Sequence, residues 1–259
     1  MAAQPPVVQI VSEPGAAADA AQDVQRGIDL TLYFFRETYN IPLTRPVRII
    51  LVGDRAAYIA VMVREFRVTQ EEAERRARTT TGWTAGSTIL VTVTASSSTA
   101  TRVFLTAHEL THQWQIQVAV PAGPWRVYWI GEGVADAVAA RVVEMGGHAP
   151  SGSYQTSWTG ILRRAERRPD LSELVTQEGW FAALDRYGSS VTYRVAGLAA
   201  MYLTDRLGHG VMVTYFKTLG STGDPAQAFF QAFSRSPEGF MEEFRSFLLN
   251  QMGRVRRAA

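Results

Sequence analysis

The chain contains no cysteine. That excludes disulfides, thiolate metal ligands and a cysteine nucleophile, and it leaves the redox compartment open. Lysine is almost as scarce, with Lys217 alone among 26 basic residues. A net charge of +2 is too mild to imply nucleic acid as a partner. The arginine clusters at Arg75-Arg76-x-Arg78, Arg163-Arg164-x-x-Arg167-Arg168 and Arg254-x-Arg256-Arg257 read as solvated helix faces and a frayed tail. No apolar run approaches the ~20 residues of a membrane span, so no transmembrane segment is expected. No basic stretch followed by an apolar one opens the chain. Met1-Ala2-Ala3-Gln4-Pro5-Pro6 reads as the start of an exported, extracytoplasmic chain behind an added Met; a cytoplasmic protein with a loose N-terminus is the alternative.

What is present is ordinary for a folded protein: 259 residues, 46% hydrophobic and 19% charged. Helical spacing of Ile28, Leu32 and Phe35 predicts a helix over 16–39. The apolar run Val47–Val52 predicts a buried strand, preceded by a short one at Val7–Val11. Asp54 caps a helix to about Phe66, and Thr69-x-x-Glu72 is a capping box. Residues 79–87 read as a turn region and Thr88–Thr94 as a strand with one polar face. After Ser96 the pattern is helical: one helix to about Val118, a second from Tyr128, and others near 158–168, 188–207, 209–219, 224–234 and 237–250. Phe229, Phe230, Phe233, Phe240, Phe244 and Phe247 read as core. The expected fold class is therefore α+β, a small β-containing N-terminal lobe and a mainly helical C-terminal lobe. The chain is expected to be a single domain over 1–259, with lobes over about 16–95 and 96–251, and with 1–15 and 252–259 loose.

Histidine occurs four times, and His108 and His112 stand four apart around Glu109 in His108-Glu109-Leu110-Thr111-His112. On a helix that spacing puts two imidazoles on one face. An ordinary helix with a packed histidine pair can produce the same pattern. Twenty positions after His112 comes Glu132, in Trp129-Ile130-Gly131-Glu132-Gly133, with Asp136 one turn beyond. Two His and one Glu leave the fourth position of a tetrahedral zinc open, the mark of a catalytic site. Glu109, beside the ligands without being one, suits the role of general base toward a zinc-bound water. Gly131 and Gly133 cost about 1 kcal/mol each of helix stability relative to Ala, and their small size lets this helix approach another closely. His148 and His209 lie in Gly-flanked turns and read as surface residues.

Together these segments resemble the gluzincin zinc metallopeptidases, specifically the peptidase MA-like domains related to M1 aminopeptidases. A third element, Tyr193-Arg194-Val195-Ala196-Gly197, is similar to the segment that carries the family's catalytic tyrosine. The resemblance covers roughly residues 30–250. It implies one Zn2+ per chain on His108, His112 and Glu132, Asp136 holding His108, and Tyr193 stabilising the oxyanion, with Tyr202 and Tyr187 as competitors for that role. It also implies a zinc site at the junction of the two lobes and a peptide or protein as substrate. In the family's aminopeptidases an acidic residue captures the substrate amine. The corresponding stretch here, 82–87, has no acid, so internal cleavage is expected. An extended substrate would lie along Thr88–Val93, with Trp83, Gly86, Ser87 and Ile89 meeting its backbone. An inactive zinc-binding scaffold or adhesion module, or an aminopeptidase, is the alternative.

Overall fold

A computed structural model describes residues 8–253. The readings made for Met1–Pro6, Val7 and the arginines of the extreme C-terminus lie outside these residues. Strands β1 (Val8–Ser12), β2 (Val47–Val52), β3 (Gly82–Ala85) and β4 (Thr88–Thr92) form one sheet in the order β1-β2-β4-β3. β1 and β4 both pair with β2 in parallel, and β3 pairs with β4 antiparallel. Between the strands lie α1 (Ala20–Glu37), α2 (Arg55–Phe66) and α3 (Gln70–Arg76). From Thr99 onward the chain is helical: α4 (Thr99–Val118), α5 (Tyr128–Met145), α6 (Ser153–Arg164), α7 (Gln177–Tyr187), α8 (Ser189–Leu207), α9 (Gly210–Thr222), α10 (Pro225–Phe233) and α11 (Pro237–Gly253). The α+β class and its order along the chain are as expected. Among the described residues no helix is long and apolar enough to cross a membrane.

The chain divides into two compact units, one running up to Gln117 and including Val138–Ser151, the other made of Val118–Ala137 and the residues from Gly152 on. The boundary expected near residue 95 therefore falls later, because α4 packs as part of the sheet unit. Gly27 of α1 permits this, since a Cβ there would stand 2.9 Å from the Thr106 Cβ of α4. The buried Arg102 guanidinium on α4 reaches Asp19 at 2.8 Å and Asp23 at 3.0 Å. Phe35, Tyr39 and Trp114 stack beneath.

Within the sheet, β2 is buried along nearly its whole length, as a parallel strand covered on both faces should be. β4 differs from expectation. Leu90, on the face it shares with the half-buried Thr88 and Thr92, is as fully buried as Ile89 and Val91, and the strand is interior, paired on both sides. The turn region contains a strand, β3, formed from Gly-Trp-Thr-Ala, in which two β-favouring residues stand between two that are not. Its stability is tertiary: the Arg76 guanidinium lies 3.6 Å from the Trp83 ring centroid, and Gly86 supplies the φ of +57° that turns the chain back into β4.

In the second unit, Trp129, Phe229 and Phe240 pack together, and Tyr215 stacks on Phe233. Phe230, read as core, is 63% exposed. Helix α7, absent from the sequence reading, is capped by Thr176, whose hydroxyl accepts from the Gly179 N–H.

Candidate metal centre

Helix α4 is preceded by Ser98, whose hydroxyl accepts from the Thr101 N–H at 3.2 Å. From there Val103, Ala107, Leu110 and Trp114 form a fully buried stripe. This anchored face fixes the rotation of the helix and hence where the next face points. His108 and His112 are both buried, with rings edge to face and their Nε2 atoms 3.1 Å apart. Gln115 lies on the same face, three residues after His112. Its side-chain oxygen accepts from His112 Nδ1–H at 2.9 Å. This fixes the tautomer and leaves the Nε2 lone pair toward His108.

Ligand atoms of His108, His112 and Glu132 all lie within 4.8 Å of one another, so the group can hold a metal ion. Zinc takes imidazole nitrogens at about 2.0–2.1 Å in tetrahedral geometry, which sets two of them about 3.3–3.4 Å apart. The observed separation of 3.1 Å is within a few tenths of an ångström of that. Two imidazoles and one carboxylate suit zinc and other borderline divalent ions alike.

Glu109 is buried at 5% exposure and is held by β3. The Thr84 hydroxyl donates to Glu109 Oε2 at 2.6 Å. Oε1 sits against Gly82, 2.1 Å from where a Cβ would be. One turn along α4, Gln113 Nε2 donates to the Gly86 carbonyl at 3.0 Å.

Helix α5 opens with the Tyr128 N–H donating to the Val175 carbonyl at 2.9 Å. Its two early glycines serve different neighbours. Gly131 faces the Trp125 indole at 3.2 Å, and Gly133 meets the Ala196 carbonyl of α8, 2.3 Å from a hypothetical Cβ. Asp136 is buried and accepts from Arg194 at 2.6 Å. Arg194 in turn lies over Trp158, 4.8 Å from the ring centroid. The start of α8 is thus tied to the turn of α5 that carries Glu132 and Asp136. Tyr193, half-buried beside Arg194, packs edge-on against Trp180 at 5.0 Å. Its competitors are engaged elsewhere, with Tyr187 donating to Glu173 at 3.0 Å and Tyr202 to Glu243 at 2.6 Å.

The four residues assigned to substrate backbone fare differently. Ile89 is paired to Ile49 on one side and Thr84 on the other, so its backbone cannot take a further strand. The Gly86 carbonyl is occupied by Gln113 and the Ser87 carbonyl by the Arg48 N–H. Trp83 lies on the edge strand but pairs inward with Leu90. The Thr81 carbonyl accepts from the Thr92 N–H, and alternation along an antiparallel ladder then turns the N–H and C=O of Thr84 outward. The outward backbone groups are therefore those of Thr84 on β3, not those of β4. His148 and His209 are outside the metal-holding group.

Sequence reasoning missed Gln115, Thr84 and Arg194. The i,i+3 spacing of His112 and Gln115 was available as a sign. Thr84 and Arg194 act across long sequence separations, 25 and 58 residues, and left none. No sequence-family model matches the chain, and neither does any curated protein.

Proposed function

We propose that the chain is a zinc-dependent peptidase of the gluzincin, peptidase MA-like kind, binding one zinc on His108, His112 and Glu132. The observation that carries the reading is the convergence of those three side chains beside a buried carboxylate, Glu109, that is not a ligand. When bound, zinc would supply Lewis acidity toward a peptide carbonyl and lower the pKa of water toward about 7. Glu109 would take the proton of the attacking water and pass it to the leaving amine. Tyr193 would donate to the oxyanion, and Gln115 and Asp136 would hold the His112 and His108 rings in place.

The substrate would run along the outer edge of β3, pairing with the Thr84 N–H and C=O by strand addition. Residues 82–87 carry no acid to capture an ammonium, and burying one unpaired is costly. Internal cleavage follows, with N-acetylated peptides cut about as well as free ones. The test is a mixed peptide library digested by wild type and by Glu109→Gln. The reading expects products from the wild type only, at internal bonds. An inactive wild type with bound zinc would instead favour a scaffold, and a strict need for a free N-terminus would favour an aminopeptidase.

A further inference from the structure

We propose that β3 sets the position of the Glu109 carboxylate, with Thr84 and Gly82 as positioning residues. Each oxygen of Glu109 meets a different residue of this one strand. Oε2 accepts the Thr84 hydroxyl at 2.6 Å. Oε1 occupies space that exists only because residue 82 has no side chain, 2.1 Å from the Cβ an alanine would bring. The strand is held at its outer edge as well, since the Tyr58 hydroxyl donates to the outward Gly82 carbonyl at 3.0 Å.

The two contacts are complementary. The Thr84 hydroxyl, bonded to Oε2, fixes the rotation of the carboxylate and hence where Oε1 stands. Gly82 then keeps Oε1 from being pushed aside. Because the outward backbone groups of Thr84 lie on the outer edge of β3, the residue that would register a paired substrate strand also tethers the base. A base displaced by about 1 Å loses rate on the order of 100-fold.

The catalytic consequence rests on the peptidase reading, but the contacts themselves can be tested without it. Thermal unfolding of the chain as purified, at matched metal content, is measured for Thr84→Val, Gly82→Ala and Glu109→Ala and for the pairwise combinations with Glu109→Ala. Valine keeps the strand-forming β-branch and removes only the hydroxyl. The Thr84 and Gly82 changes are each expected to lower Tm by roughly 2–4 °C in the wild-type background and to have much less effect once Glu109 is alanine, where the Thr84 hydroxyl keeps only the backbone carbonyl of residue 109, at 3.3 Å. Equal losses in the two backgrounds would overturn the proposal.

Kinetics supply the second arm. Thr84→Val is expected to lower kcat about 10–100-fold with KM nearly unchanged, Gly82→Ala to do the same, and Thr84→Ser to restore the rate. A Thr84→Val enzyme with full kcat would contradict the positioning role while leaving the peptidase reading intact. A wild type that cleaves no peptide would remove that reading, and the unfolding cycles would still decide whether β3 holds Glu109.

Discussion

At the scale of single residues, function reduces to which nitrogen or oxygen faces which. With the Gln115 oxygen as acceptor, His112 carries its proton on Nδ1, and at a metal site ring orientation set in this way is worth about 10–100-fold in affinity. Gln115→Leu should weaken zinc binding by that factor, read by competition with a chromophoric chelator; unchanged affinity would remove Gln115 from the site. Glu109→Gln should keep the metal and lower peptide hydrolysis by about three orders of magnitude or more, whereas Tyr193→Phe should lower kcat by about 100-fold, the range of a lost oxyanion donor. The group that could hold a metal was legible in the sequence, because an i,i+4 histidine pair and a downstream glutamate form a pattern with a direct geometric meaning. Thr84 and Arg194 were not, because they reach Glu109 and Asp136 only after the chain has folded.

Elements carry the next level. Helix starts at Asp54 and Thr69 were readable because a short polar side chain before a helical run satisfies free N–H groups, and each makes that bond here; the Glu72 carboxylate, expected to complete a capping box with Thr69, pairs with Arg75 and Arg76 instead. Strand β3 was not readable, since a four-residue Gly-Trp-Thr-Ala segment gains its conformation from pairing and from Arg76 over Trp83. The close approach of α5 and α8 rests on Gly133 against the Ala196 carbonyl. Because that neighbour is backbone and cannot swing away, Gly133→Leu should cost about 1–3 kcal/mol or more and lower Tm, while Gly131→Ala, facing an indole, should be much milder. Helix α8 and the turn between α10 and α11 meet at Glu243 of α11, which accepts from Tyr202 at 2.6 Å and Arg206 at 2.5 Å and pairs with Arg235. The Tyr202 hydrogen bond and these guanidiniums hold its carboxyl below the ordinary value of 4.5. A carboxyl lowered on folding stabilises the fold above its ordinary value, and that contribution is lost as pH falls through the folded value. Wild type should therefore lose stability more steeply than Glu243→Gln below about pH 4.5, measured by thermal unfolding across pH 2–6; parallel curves would contradict the network's role.

For the whole molecule, the α+β class followed from the order of elements, two apolar β-rich runs early and amphipathic helices after Ser96. The unit boundary did not follow, because α4 reads as the first member of a helical run while its buried face and Arg102 belong to the sheet unit. The central claim is that residues distant in sequence, His108, His112 and Glu132, form one metal site. Elemental analysis of protein expressed with zinc, for wild type, His112→Ala and Glu132→Ala, tests it most directly. The expected result is about one zinc per chain in the wild type and little in either folded variant. No tightly bound divalent metal in the wild type, or full retention in both variants, would contradict it.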